Sequence, residues 1–170
     1  MKVYLGTDHA GFELKEKIKS YLLQRGFEVE DCGAFEFDKD DDYPDFIARV
    51  ADKVSEDPEN SRGIIFGGSG QAETITANKF KGVRCVLFYA ACAPAKEADV
   101  TGRTSTDLYE MINLTREHNN ANMLSLGSRF ITEKEAIKAI ALWLESPFTA
   151  NKRHVRRIEK IKKIENENFK

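Results

Sequence analysis

Apolar positions along this chain follow two alternating rhythms. KVYLG (2–6) is a short β-rich run, and residues 10–25 then carry Leu14, Ile18, Tyr21 and Leu22 at helical spacing. Gly26 stands where a helix C-terminus favours a left-handed residue. FEVEDC (27–32) alternates as a strand, an acidic loop follows, and Pro44 opens a helix with Ile47, Val50, Ala51 and Val54 on one face. GIIFG (63–67) is a continuous apolar run, the mark of a strand buried on both faces. Residues 71–79 read as a helix, VRCVLFY (83–89) as a fourth strand and NMLSLG (122–127) as a fifth. Thr132 and Glu135 form a capping box for a helix bearing Ile137, Ile140, Ala141 and Leu144, and a basic helix is expected over about 152–166.

Repeated strand–helix units predict a parallel sheet covered by helices. Ligands of such sheets bind at the carboxyl ends of the strands. Those ends carry Thr7-Asp8-His9, then Gly67 to Glu73, then the segment after Tyr89, then Gly127-Ser128-Arg129. Residues 90–106 lack a clear period, and loops that long are usually functional or disordered. No internal repeat or linker is visible, so residues 1–170 read as a single domain.

Composition narrows the function. The 170 residues suffice for one core, and a formal charge of −2 offers no global field for nucleic acid or an acidic membrane. No apolar run approaches the ~20 residues that span a bilayer, and the N-terminus lacks the apolar stretch of a signal peptide. The three cysteines, Cys32, Cys85 and Cys92, have no CxxC spacing and suit a reducing cytoplasm better than a disulfide framework or a zinc site. DKDDDYPDFIAR begins like a calcium loop but has Tyr43 and Arg49 where Gly and Glu are required, so it is expected to be a solvated turn. No metal or other cofactor is expected.

The turn Gly67-Gly68-Ser69-Gly70 ends an apolar strand and opens a helix. Glycines let backbone amides approach a ligand, so the turn suits either a phosphate or an oxyanion formed during reaction. No Lys follows at the Walker position, which argues against a nucleotide loop. Glu73 is a surface residue favoured by the helix dipole or, if enclosed, a base whose pKa burial raises towards neutrality. Asp8 beside His9 is explained equally by helix capping. His118-Asn119 precedes the fifth strand as a polar turn or as an acid–base pair. Arg153 and Arg157 share one helical face, and with Arg129 they suit a compact dianion such as a phosphate monoester.

DHAGFELK (8–15), YPDFIARVA (43–51), GGSGQAETITANKFKGVR (68–84), REHNNANMLSLGSR (116–129) and RHVRRI (153–158) together resemble the B-type ribose-5-phosphate isomerases, a wider family that includes the subunits of galactose-6-phosphate isomerase. The resemblance implies a Rossmann-like three-layer α/β/α sandwich with a five-stranded parallel sheet. It implies a homodimer, or a tetramer, with active sites at the subunit interface. It also implies cofactor-free aldose–ketose isomerisation of ribose 5-phosphate through an enediolate. Glu73, His118, Asp8 and Ser69 are then the catalytic residues; His9, Gly68, Gly70, Asn119, Arg129, Arg153 and Arg157 hold the sugar phosphate. Many members carry a catalytic Cys where this chain has Gly67, and a subgroup uses a Glu where this chain has Glu73, with Gly at the place of Ala72. The span from Arg84 to His118 is longer than the family's, with the extra segment at about 90–112. A hexose 6-phosphate isomerase and a non-catalytic sugar-phosphate sensor are the alternatives.

Overall fold

The computed structural model describes residues 1–169. Five strands, β1 (Lys2–Thr7), β2 (Glu28–Asp31), β3 (Ser61–Gly67), β4 (Cys85–Phe88) and β5 (Met123–Gly127), form one sheet in the order β2-β1-β3-β5-β4. Every pairing is parallel, as the strand–helix alternation predicts. Six helices connect or flank them: α1 (Phe12–Gln24), α2 (Tyr43–Glu56), α3 (Gln71–Ala77), α4 (Glu110–Asn119), α5 (Glu133–Glu145) and α6 (Lys152–Asn168). A single 3-10 turn, His9–Gly11, precedes α1, so the helix expected from residue 10 starts two residues later.

The run GIIF shows why the sheet is buried on both sides. Ile64 and Phe66 pack with Ile18 and Leu22 of α1 and Ile140 and Trp143 of α5. Ile65 points to the other face, among Ile47, Val50 and Val54 of α2 and Ala77 of α3. Each such side chain, fully enclosed, is worth about 1.5–3 kcal/mol of burial. The three layers are therefore α1, α4 and α5, then the sheet, then α2 and α3. Thr132 accepts from the Glu135 amide and Glu135 accepts from the Thr132 amide, completing the capping box of α5.

One reading of His118 fails: it is not in a polar turn but in the last turn of α4, which is capped by Asn120 in a left-handed conformation (φ 45°). The extra segment expected at about 90–112 becomes helical at Glu110, past the irregular span expected over 90–106. Its helical face mixes Tyr109 and Ile112 with buried Thr115 and Arg116, so apolar periodicity alone does not reveal it. The basic helix expected over about 152–166 is present as α6; it has no buried residue, and Val155, Ile161 and Ile164 are exposed on it.

Candidate active site

The sheet order places a switch point between β1 and β3. The chain leaves β1 towards β2 on one side and reaches β3 on the other, opening a crevice at their carboxyl ends. Asp8 and His9 extend β1 into that crevice. The Asp8 carboxylate accepts from the Ala10 amide at 3.0 Å, so it does cap the 3-10 turn. Burial raises its pKa above the ordinary value, and the nearby Asp41 charge adds to that.

From β3, the chain turns through Gly67-Gly68-Ser69-Gly70 into α3. Gly70 is left-handed (φ 75°), and a Cβ there would approach Leu87 Cδ1 at 2.6 Å and Ser125 Oγ at 3.0 Å. Its carbonyl accepts from Ser125 Oγ at 2.8 Å and Thr74 Oγ1 at 2.7 Å, which fixes the turn from two sides. The first amides of α3 have no carbonyl partner within the helix. Ser69 Oγ lies 3.4 Å from the Gln71 amide. Across the turn, the Arg129 amide donates to Gly68 O at 3.1 Å. The Arg129 guanidinium lies against Gly68, where even a Cβ would come within 3.4 Å of it.

Glu73, in the first turn of α3, does not face solvent. It is 4% exposed, and burial drives its pKa upward, opposed by its own backbone amide and reinforced by the charge of Asp8. Its carboxyl occupies the space beside Gly67: a Cβ on Gly67 would collide with Cδ and Oε1 of Glu73. The bare position in the strand and the acid one turn later are thus one feature. The thiols are elsewhere: Cys32 and Cys85 are buried with raised pKa values, Cys32 to about 11, and Cys92 is exposed.

The second group of expected residues sits on helices. His118 of α4 and His154 of α6 stack face to face, 4.1 Å between ring centroids at 11°. Both line a cavity of about 430 Å³ with Arg153, Arg157, Asp99 and Thr101. Burial, His118 and the two arginines together lower the pKa of His154. The irregular segment is pinned here by Arg103, whose guanidinium reaches Glu110 at 2.6 Å and Glu117 at 2.9 Å. Asn119 is exposed, lines the adjoining 360 Å³ groove with His118 and Arg157, and makes no hydrogen bond to His118 among the described residues. The His118 ring stacks on His154, a residue that no local sequence signal marks out.

The expected residues therefore fall into two groups. His9 and Arg129 share a 440 Å³ cavity with Ser128 and Lys17, while His118, Arg153 and Arg157 line the 430 Å³ one. Asp8 meets His9 and Asp41 rather than His118. The acidic loop also departs from expectation. Asp41 is not solvated; its side chain is 8% exposed and turned onto His9, with Nδ1 and Oδ1 2.7 Å apart. One oxygen each of Asp8 and Asp41 and a His9 nitrogen lie within 4.8 Å of one another. Asp41 is one of four aspartates between 38 and 42, so nothing in the sequence marks it out.

Several motif residues prove to be structural. Lys15 is fully buried and holds Asp31 at 2.8 Å. Asn78 joins the end of α3 to both the amide and the carbonyl of Cys85 at 2.9 Å. Asn122 accepts from the Arg84 amide at 2.7 Å.

Comparison with known proteins places this architecture. Residues 3–161 match the family profile described as Ribose/Galactose Isomerase. Ribose-5-phosphate isomerase B of Mycolicibacterium paratuberculosis is 41% identical over 165 residues, covering 97% of this chain and 92% of that protein. The crystal structure of ribose-5-phosphate isomerase B from Mycoplasma genitalium with bound ribulose-5-phosphate superposes with a TM-score of 0.85 at 36% identity, over 98% of this chain and 97% of that one. The Clostridium thermocellum enzyme gives 0.82 at 34% identity, over 98% and 99%.

Proposed function

This chain belongs to the ribose/galactose isomerase family, and on that premise we propose that it interconverts ribose 5-phosphate and ribulose 5-phosphate with Glu73, in place of a thiol, as the base. The observation that carries the reading is the mutual exclusion at Gly67: the Glu73 carboxyl fills the space a side chain at 67 would need. An enclosed carboxylate with a raised pKa is a stronger base than a solvated one and is suited to take a proton from carbon near neutrality. Glu73 removes the proton from C2 of the aldose and returns it to C1. The amides opening α3 and the Ser69 hydroxyl stabilise the enediolate oxygens; one such donor is worth ~10²–10³ in rate. His118, at the end of α4, moves the proton that opens the furanose ring, and Asp8 and Asn119 complete the polar surroundings of the sugar.

His9, Arg129, Arg153 and Arg157 hold the phosphate, with Gly68 and Gly70 leaving room for the ligand. Binding far from C1 and C2 supplies orientation rather than chemistry. The two groups of residues line separate cavities within one chain, which supports a homodimer in which a second copy brings His118, Arg153 and Arg157 to Glu73. The exposed apolar side chains Val155, Ile161 and Ile164 of α6 supply a surface for that homodimer. The three free cysteines suit the cytoplasm.

Turnover of ribose 5-phosphate beside galactose 6-phosphate and allose 6-phosphate tests the substrate. The pentose phosphate is expected to be preferred by kcat/KM, with deuterium from solvent incorporated into the product. Sugar-phosphate binding without carbon-bound exchange identifies a sensor and refutes the isomerase.

A further inference from the structure

Asp41 has no part in the reaction outlined above, yet it is held more firmly than its neighbours. It follows Asp38 and Asp40, both exposed, and precedes exposed Asp42. Its own side chain is 8% exposed. One oxygen, Oδ1, accepts twice from the same residue: from the His9 backbone amide at 3.0 Å and from His9 Nδ1 at 2.7 Å. No lysine or arginine pairs with it among the described residues, and Oδ2 is buried without a partner. A carboxylate taken out of water for one neighbour is costly unless that neighbour needs it.

A carboxylate only accepts, so Nδ1 must carry the proton that joins the pair. The residue is then fixed at three places: its backbone amide, ring Nδ1, and the edge-on contact with Phe37, whose centroid lies 6.4 Å away at 88°. Nε2 is left as the free ring nitrogen of a residue lining the 440 Å³ cavity. Of the charged groups there, Lys17 is paired with Glu133 at 3.1 Å, and Glu13 is a second acid. Arg129 has no ion-pair partner among the described residues.

We infer that Asp41 is a positioning residue for phosphate recognition: it locks His9 in the Nδ1-protonated form with Nε2 presented, beside Arg129, to the phosphate of the substrate. Nε2 accepts from a phosphate hydroxyl or, once the ring takes up a second proton alongside a dianion, donates to it. The inference rests on the phosphate-binding role of His9 proposed above. It adds a residue from the β2–α2 connection to a site otherwise built from the ends of β1, β3 and β5 and from the helices.

The test is Asp41→Asn, with Asp40→Asn as a control on the same loop. An amide can turn its NH₂ towards Nδ1 and impose the other tautomer. KM for ribose 5-phosphate and Ki for inorganic phosphate should both rise about tenfold or more, the scale of one misoriented charge-assisted hydrogen bond. In the same variant kcat should change much less, and Asp40→Asn should leave all three constants alone. Nitrogen-15 NMR of the three histidines, with His9 assigned by His9→Gln, should show Nδ1 protonated in the wild-type protein and its signals altered in Asp41→Asn. Unchanged KM and Ki, or a fall in kcat alone, overturns the inference. A wild-type His9 protonated only on Nε2 overturns it without any variant, so a poorly folding Asp41→Asn leaves the question decidable. If the wild-type protein does not turn over ribose 5-phosphate, the reaction assignment fails, while NMR and phosphate titration still judge Asp41.

Discussion

The two halves of the candidate site are built on opposite principles. The strand-end half is rigid and enclosed: Asp8 and Glu73 are buried, Gly70 is held by Ser125 and Thr74, and the whole sits where β1 and β3 part. The helix half is open: Arg157 and Asn119 are exposed, α6 has no buried residue, and His118 leans on His154. In the reaction proposed above, proton transfer between neighbouring carbons tolerates little displacement and is assigned to Glu73, in the half that the sheet holds still. Gripping a phosphate tolerates more, because arginine forks adapt, and it is shared between His9 and Arg129 at the strand ends and Arg153 and Arg157 on the helix.

That contrast predicts which changes will hurt catalysis and which will hurt binding. The largest effect should come from Gly67→Ala. The added methyl must displace the Glu73 carboxyl, so kcat should fall by ~10²-fold, the cost that misplacing a reacting group by an ångström can reach. Near-normal kcat would mean that Glu73 can move without consequence. Arg157→Ala comes next. It should raise KM and the Ki for inorganic phosphate by roughly 10–100-fold while kcat changes little; the reverse pattern would place Arg157 in the chemistry.

The pH dependence sharpens the same division. Glu73 must be ionised to act as a base, and burial holds its pKa above the ordinary 4.5. The acid limb of kcat/KM should therefore lie above that value. The sign for stability is opposite. An acid whose folded pKa is raised binds more protons folded than unfolded, so its contribution falls as pH rises from 4.5 through the raised value. Glu73→Gln should then melt higher than wild type at pH 7, by about 2–4 °C for each kcal/mol relieved. The gap should close below pH 4.5; a lower melting point at pH 7 would contradict an uncompensated buried carboxylate. Smallest is Arg103→Ala. Its guanidinium is about a third exposed, so losing its pairs should cost only ~1 kcal/mol and a few degrees, read by thermal melting.

Legibility followed the same boundary. The strand-end half was readable because an apolar run, a glycine turn and an acid occur in immediate succession, and each has a local physical meaning. The parallel sheet was readable from the strand–helix rhythm. Its order was not: β5 lies between β3 and β4, and long-range pairing leaves no local trace. Helix α4 was missed because its inner face includes Thr115 and Arg116, whose burial depends on contacts far along the chain, such as Arg116 Nε to Ser146 O at 3.3 Å. Asp41 is illegible for a different reason: only the folded position of His9 distinguishes it from the aspartates beside it. His154 lies within the expected basic helix, and nothing local announces that it stacks on His118.

The account turns on Glu73, and the most direct measurement is carbon-bound proton exchange by Glu73→Gln. The variant, incubated with ribose 5-phosphate in deuterated water, should incorporate no deuterium at C1 or C2 above the uncatalysed rate. Inorganic phosphate and substrate should still bind as they do to wild type. Exchange at a rate near the wild type's, with binding intact, would show that another group moves the proton.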